Sequence, residues 1–270
     1  KKPARERYPM KSKPVVIVTG ASRGVGAAAA RWLAGAGTAV TLIARTQKEL
    51  RHEAEAIDRS GRDGLFVTGD VSDPHFCRNA VEKTIARFHR LDALVNNAGT
   101  VEPLATVADA RPADWHYNIA VNLLGPIYMS MAAIPELRVR NGRIVNVSSG
   151  AAHHVIAAAS AYCAAKAALN QFSRVLAAEE PDLTVIAVRP GVVDTRMQEL
   201  LRSEGPAKMP PEQAAFYRDL KTAGHLEPPQ LPARAIAWLA LHAPREWSGA
   251  FMNYDDPQIA EPALAAFGGH

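Results

Sequence analysis

The fold of this chain is decided by one stretch, Val15-Val16-Ile17-Val18-Thr19-Gly20-Ala21-Ser22-Arg23-Gly24-Val25-Gly26. Its first four residues are apolar and β-branched, which predicts a buried strand. Three glycines follow, and the alanine-rich stretch 27–36 after them predicts a helix. Glycine lets the backbone turn tightly and approach a pyrophosphate, whose charge the helix N-terminus then meets. A purely structural turn between strand and helix would also favour glycine, so both interpretations stand at this point.

The same alternation of apolar run and helical pattern continues along the chain. The apolar runs are continuous, so both faces of each strand are covered, which is typical of a parallel sheet wrapped by helices. The sequence therefore predicts an α/β fold with a seven-stranded parallel sheet and helices on both faces. We expect strands at 15–18, 39–44, 65–68, 91–95, 143–147, 183–188 and 250–254, and helices at 27–36, 46–59, from 73, and near 112–138, 161–179 and 232–242.

The composition is that of an ordinary folded protein. The 270 residues are 48% hydrophobic and 21% charged, which argues against a disordered, collagen-like or coiled-coil chain. The apolar runs fall short of the roughly 18 residues of a membrane-spanning helix, so we expect no membrane partner. Two cysteines, Cys77 and Cys163, cannot form a disulfide framework or a four-ligand zinc site. This favours a reducing, cytoplasmic location and no metal.

Charge and proline content divide the chain into an arm, a body and an insertion. Residues 1–13 carry a net charge of +5, which leaves −1 of the total of +4 for the rest. We predict a basic, flexible N-terminal arm at 1–13, a single domain at 14–270 and no nucleic-acid partner, although such an arm could also touch phosphates or a membrane surface. Prolines separate short predicted helical pieces at 191–230, after the sixth predicted strand. An insertion at this edge of the sheet, where ligands bind, predicts a substrate lid.

Four further motifs follow the predicted strands in order: Asn96-Asn97-Ala98-Gly99, Ser148-Ser149, Tyr162-x3-Lys166 and Pro190-Gly191. With the glycine cluster, they resemble the short-chain dehydrogenase/reductase family over about residues 14–256. The resemblance implies a single-domain, Rossmann-type doubly wound fold. It also implies hydride transfer between a nicotinamide cofactor and a carbonyl or alcohol group.

Within that family the chain resembles the fungal benzil reductases and, next, the sepiapterin reductases. The stretches 161–169, 190–198 and 254–257 carry this likeness. Sepiapterin reductases have an acidic residue where Met252-Asn253-Tyr254 stands here, which argues against a pterin substrate. We expect a carbonyl reductase of small ketones or 1,2-diketones. The alternatives are an NADP-dependent secondary-alcohol dehydrogenase, a sepiapterin-type reductase and a non-enzymatic NADP(H)-sensing protein.

Tyr162 and Lys166 are four residues apart, so on a helix they share a face. A phenol has a pKa near 10, and we expect the neighbouring ammonium and an oxidised nicotinamide ring to lower it. Tyr162 could then deliver a proton to a carbonyl oxygen. A buried Tyr and a surface Lys placed there by accident is the competing interpretation.

The resemblance adds two catalytic residues to this pair. Ser149 lies 13 residues before Tyr162, the usual separation in the family, and its hydroxyl would hold the substrate oxygen. Asn122 would be the fourth member and would reach Lys166 through water, although an Asn in a helix is more often structural. We expect Ser148 to cap the backbone at the strand end.

The end of the second predicted strand indicates which cofactor is used. A carboxylate there would hold the ribose diol of NAD, whereas a cation would hold the 2′-phosphate of NADP. The chain has Arg45 after Ala44, and a second cation, Arg23, in the glycine loop, so we predict NADP(H). Solvated surface arginines are the alternative. The full set of predicted cofactor-binding residues is Gly20, Ser22, Arg23, Gly24, Val25, Gly26, Arg45, Asp70, Val71, Asn97, Ala98, Gly99, Tyr162, Lys166, Pro190, Gly191, Val193 and Thr195.

The helix that starts near Tyr162 is apolar on nearly every face, which indicates burial against the sheet and against a second surface. Family members commonly pair this helix about a two-fold axis, so we expect a homodimer or homotetramer. His153 and His154 could line the substrate mouth, and we expect Cys163 to serve packing.

Overall fold

The computed structural model describes residues 13–268 and contains one seven-stranded sheet. All neighbouring strands are parallel, in the order β3-β2-β1-β4-β5-β6-β7. The predicted fold class is confirmed, and the predicted strand bounds differ by only one or two residues. The strands are β1 (Val15–Thr19), β2 (Ala39–Ala44), β3 (Gly64–Thr68), β4 (Ala93–Asn96), β5 (Arg143–Val147), β6 (Thr184–Arg189) and β7 (Phe251–Asn253).

Helices cover both faces of this sheet. The last helix, Pro257–Phe267, was not predicted, because Pro262 interrupts its helical pattern. Its first-turn residue Pro257 is nevertheless a common signal for the start of a helix. The helices are α1 (Gly24–Gly35), α2 (Gln47–Arg59), α3 (Pro74–Phe88), α4 (Pro112–Ile119), α5 (Gly125–Arg138), α6 (Ser160–Glu179), α7 (Arg196–Glu204), α8 (Pro211–Thr222), α9 (Gln230–His242) and α10 (Pro257–Phe267).

Two apolar layers hold the helices against the sheet. On one face, α1, α9 and α10 pack on residues such as Val16 and Val18. On the other face, α3, α5 and α6 pack on residues such as Ile17 and Leu94. All five residues of β1 are buried, as the continuous apolar run predicts. Burial of this apolar surface is the main force that assembles the layers.

The helix predicted near 112–138 is broken by one turn of π-helix, Ala120–Leu124. Pro126 lacks an N–H, so it cannot donate the α-helical bond to the carbonyl of Asn122, four residues before it. Such π turns are frequent at functional sites. The whole stretch Pro112–Arg138 is long and apolar enough to cross a membrane by length and composition, but 44% of its apolar window is buried within the chain, where Met129 and Leu137 join the core.

The segment 191–230 contains α7 and α8, which pack against each other. A β-bridge between Val193 and Glu227 joins the two ends of the segment. The predicted basic arm, residues 1–13, lies outside the described residues except for Lys13, whose ammonium is 3.0 Å from a carboxylate oxygen of Asp63.

Candidate active site

A cavity of about 910 Å³ opens at the carboxyl ends of the strands. It extends from Arg45, after β2, past the glycine loop to α7 and α8. The sheet order reverses between β1 and β4, and in open α/β sheets ligands bind at such a switch point. The position and shape of the cavity therefore suit an elongated ligand.

At two of its glycines, Gly20 and Gly26, the glycine loop is packed so closely that a side chain is excluded. A Cβ on Gly20, whose φ is +66°, would lie 2.8 Å from the Cα of Ala98. A Cβ on Gly26 would lie 2.4 Å from the carbonyl oxygen of Gly20. Arg23 makes no side-chain cap at the start of α1, so the first N–H groups of that helix remain available to an anion. The loop therefore fits the pyrophosphate of a dinucleotide.

We expect Gly26→Ala to lower the free energy of unfolding by about 1–3 kcal/mol, because the new methyl group meets backbone that cannot move aside cheaply. Urea unfolding measures this loss. Gly35→Ala in the same helix is the matched control, since its nearest neighbour is the flexible end of Arg62 at 3.4 Å. An equal loss in both variants would contradict the packing described for Gly26.

A group of polar side chains surrounds Arg45 at the far end of the cavity. The Arg45 guanidinium hydrogen-bonds the Tyr117 hydroxyl, and its Nη1 lies 3.9 Å from Oδ2 of Asp70. Oδ1 of Asp70 accepts hydrogen bonds from the N–H of Ser72 at 3.0 Å and from its hydroxyl at 2.9 Å. Tyr117 was not predicted, because it comes from α4 and no local motif marks it. Arg23 is exposed in the glycine loop and also lines the cavity.

The structure brings Ser149, Tyr162 and Lys166 together at the other end of the cavity. Tyr162 and Lys166 are buried on one face of α6, with exposed fractions of 6% and 4%. The Lys166 ammonium donates a hydrogen bond of 2.8 Å to the carbonyl oxygen of Val147 and lies 5.7 Å from the centre of the Tyr162 ring. The Ser149 hydroxyl hydrogen-bonds Tyr162.

The predicted cap at the end of β5 is on the wrong serine. Ser149, not Ser148, caps the turn at 150–152, because its hydroxyl accepts a hydrogen bond of 3.1 Å from the N–H of Ala151. The Ser148 hydroxyl is enclosed and has no partner among residues 13–268. Ser149 thus combines a structural bond with one to Tyr162, which fixes its hydroxyl at the cavity wall.

For the chain by itself, the expected lowering of the Tyr162 pKa by Lys166 is wrong, and the lowering expected from an oxidised nicotinamide ring stays a prediction. Burial raises the pKa of Tyr162 to about 12, and the Ser149 hydrogen bond offsets only part of this rise. Burial likewise lowers the pKa of Lys166 to about 8. Both shifts have the same cause, since a dry site disfavours whichever form is charged. Tyr162 is therefore a protonated donor at neutral pH.

The lowered pKa of Lys166 predicts a pH-dependent stability. Between about pH 8 and 10.5 the unfolded chain holds a proton on this lysine that the folded chain lacks, so its contribution to the unfolding free energy rises with pH. Lys166→Met removes that contribution. We expect the stability of the variant relative to wild type to fall by about 3 kcal/mol from pH 7 to 10.5.

Urea unfolding at several pH values measures this difference. Lys83→Met, at an exposed position on α3, is the control and should show no such trend. A Lys166→Met difference that stays constant with pH would mean that Lys166 titrates normally.

Asn122 lies in the π turn and is fully buried. Its Oδ1 accepts a hydrogen bond of 3.0 Å from the N–H of Thr100, and its Nδ2 donates one of 2.8 Å to the Thr100 carbonyl. A Cβ on Gly99 would lie 3.0 Å from this Oδ1 and 3.8 Å from Nζ of Lys166. The side chain therefore anchors the loop after β4 beside Lys166, and the predicted catalytic role of Asn122 stays a prediction.

The substrate end of the cavity is formed by the loop after β5 and by α7 and α8. His154 lines the cavity together with Val155, whereas the His153 ring packs on Phe251, with 5.1 Å between ring centres. Cys163 packs in an apolar cluster beside Tyr162. No group of three or more metal-ligating side chains occurs within residues 13–268.

Nearly all predicted site residues line this one cavity. Two do not: Gly26, which lies behind the glycine loop, and Asn122, which lies behind Gly99. The predicted residues that line it are Gly20, Ser22, Arg23, Gly24, Val25, Arg45, Asp70, Val71, Asn97, Ala98, Gly99, Ser149, Tyr162, Lys166, Pro190, Gly191, Val193 and Thr195.

The glycine loop at a sheet switch point and a buried Tyr–Lys pair define a dinucleotide-dependent oxidoreductase. The chain belongs to the short-chain dehydrogenase/reductase family, because the family model described as short chain dehydrogenase matches residues 14–205. This family binds nicotinamide cofactors.

Fungal proteins are among the relatives. The chain is 36% identical to an uncharacterized oxidoreductase of Schizosaccharomyces pombe, over 90% of this chain and 97% of the relative. It is 30% identical to benzil reductase ((S)-benzoin forming) of Saccharomyces cerevisiae, over 91% and 97%.

Solved structures share the fold over most of the chain. A short-chain dehydrogenase/reductase from Saccharomyces cerevisiae has a TM-score of 0.87 and 34% identity, over 92% of this chain and 98% of that one. A blue fluorescent protein from a metagenomic library, in complex with NADPH, has a TM-score of 0.77 and 27% identity, over 89% and 95%.

Proposed function

We propose that the protein is an NADPH-dependent carbonyl reductase that converts a small ketone or 1,2-diketone into a hydroxy product. One observation carries this proposal: a single cavity has the Ser149–Tyr162–Lys166 group at one end and Arg45 at the other. A guanidinium suits a 2′-phosphate, and Ala44 leaves no carboxylate at the end of β2 for a ribose diol. The related structure that holds NADPH supports this choice.

The mechanism follows from the protonation states of the buried groups. Tyr162, with a pKa raised to about 12, keeps its proton until a substrate oxygen gains negative charge. Ser149 orients that oxygen by a hydrogen bond. A nicotinamide cofactor held by the glycine loop and Arg45 would supply a hydride to the carbonyl carbon. As Tyr162 gives up its proton, the Lys166 ammonium beside its ring stabilises the tyrosinate charge.

The walls of the substrate end favour an apolar carbonyl compound. Val155, Ile156, Met197, Leu201 and Phe216 contribute apolar surface there. Such a pocket binds a ligand mainly through the apolar surface that the ligand buries, and it discriminates weakly between apolar groups of similar size. The relative named benzil reductase acts, by its name, on a 1,2-diketone with two aromatic rings, which supports diketones as substrates.

The direct test is a panel of monoketones, 1,2-diketones and sepiapterin, with loss of NADPH absorbance as the readout. We expect turnover of at least one diketone. Turnover of sepiapterin alone would favour the sepiapterin-type alternative, and oxidation of secondary alcohols without reduction of any carbonyl would favour the alcohol dehydrogenase. NADPH binding without turnover of any compound would contradict the proposed function and favour a sensor.

We also propose that two copies of the chain pair through α5 and α6. Met131 on α5, Val139 directly after α5 and Val175 on α6 are 66%, 70% and 43% exposed, although large exposed apolar side chains are costly in water. Light scattering at micromolar concentration should then give two or four times the mass of one chain. A monomeric mass would contradict pairing.

A further inference from the structure

Tyr217 projects from the lid toward the catalytic group. It lies on α8, is 7% exposed, and packs in the apolar cluster that contains Tyr162, Leu201 and Met209. Its neighbour Phe216, by contrast, is 55% exposed. Tyr217 thus belongs to the interior of the site rather than to the outer surface.

Three polar residues of α8 are spaced by four and line the cavity together: Gln213, Tyr217 and Lys221. The Gln213 side chain accepts a hydrogen bond of 2.9 Å from the N–H of Ala157 and donates one of 3.2 Å to the Val155 carbonyl. Lys221 pairs with Asp194, with its ammonium 2.6 Å from a carboxylate oxygen. The polar groups of Gln213 and Lys221 therefore already have partners within the protein.

The Tyr217 hydroxyl differs from its two neighbours. No partner for it occurs within residues 13–268, and it is not one of the fully enclosed polar atoms of that region, so it opens onto the cavity. Burial raises the pKa of Tyr217 to about 12, and the nearby Cys163 and Tyr162 add to the rise. A protonated, largely desolvated phenol gains stability when a ligand accepts its hydrogen bond.

We propose that Tyr217 donates a hydrogen bond to a second substrate oxygen, on the carbon next to the reacting carbonyl. Tyr162 and Ser149 serve the reacting oxygen, and Tyr217 lines the same cavity from α8 and shares an apolar cluster with Tyr162. A 1,2-dicarbonyl compound places its second oxygen beside the first, so Tyr217 selects this class over monoketones. This inference rests on the proposed function and names its substrate class.

Tyr217→Phe tests the role because it removes one hydroxyl and keeps the ring. The substrates are 1-phenyl-1,2-propanedione and 1-phenyl-1-propanone, which differ by one carbonyl oxygen. Each variant rate is divided by the wild-type rate for the same substrate, so the greater reactivity of the diketone cancels. We expect kcat/KM for the diketone to fall roughly tenfold, mainly through KM, and kcat/KM for the monoketone to change less than about twofold.

Tyr128→Phe is the matched control, because Tyr128 packs on α5 outside the cavity and should leave both substrates unaffected. An equal loss for the two substrates in Tyr217→Phe would overturn the proposal, since the hydroxyl would then shape the pocket or serve the reacting carbonyl. No change for either substrate would also overturn it. If wild type reduces neither compound with NADPH, the proposed function itself fails and the role of Tyr217 fails with it.

Discussion

Replacing Tyr162 with phenylalanine is expected to lower kcat by roughly two to four powers of ten, because the variant lacks the proton donor. The ring stays in its apolar cluster, so the fold is retained. The affinity for NADPH should change little, since the glycine loop and Arg45 are untouched. Steady-state kinetics measures the first quantity, and titration of NADPH fluorescence measures the second.

Tyr128→Phe provides the control for this experiment as well, since it removes a phenol hydroxyl at a distance from the cavity. Near-normal turnover of the Tyr162 variant would show that another group donates the proton. A large loss of NADPH affinity would show that Tyr162 acts through cofactor binding instead.

Replacing Arg45 with alanine is expected to raise KM for NADPH at least about tenfold, because charge-assisted hydrogen bonds to a phosphate are strong. KM for NADH should stay almost unchanged, as that cofactor has no 2′-phosphate. Adding Ala44→Asp should shift the preference toward NADH, since a carboxylate there binds a ribose diol and repels phosphate. Initial rates with each cofactor measure the change.

Arg51→Ala is the matched control, because Arg51 is an exposed cation on α2 that does not line the cofactor cavity. It should leave both KM values unchanged. If Arg45→Ala weakened the binding of NADPH and NADH alike, Arg45 would support the loop after β2 through its contacts with Asp70 and Tyr117. It would then not recognise the 2′-phosphate.

The sheet could be predicted because each of its strands is a continuous apolar run with turn residues beside it. The Tyr162–Lys166 pair was also predictable, since a spacing of four places two side chains on one helix face. The residues at which strands begin and end were predicted less accurately. For example, β4 begins at Ala93 rather than at residue 91. A local sequence pattern predicts that a strand exists more reliably than it predicts the residue at which its pairing with a neighbouring strand ends.

Features that depend on contacts between distant segments could not be predicted. The contact of Tyr117 with Arg45 joins residues that are 72 positions apart. The pKa of Tyr162 was expected to fall because a charged neighbour was visible in the sequence, whereas the depth of burial that raises it was not. The choice of Ser149 over Ser148 as a cap likewise depends on the direction in which the chain leaves β5.

Hydride transfer from NADPH to a carbonyl carbon is the central step of the proposed reaction, and isotope labelling tests this step directly. Wild-type protein is incubated with 1-phenyl-1,2-propanedione and NADPH that carries deuterium at both positions of nicotinamide C4. Mass spectrometry of the product should show one deuterium on the carbinol carbon. A hydroxy product without deuterium, or no product while the labelled NADPH remains bound and unconsumed, would contradict the account.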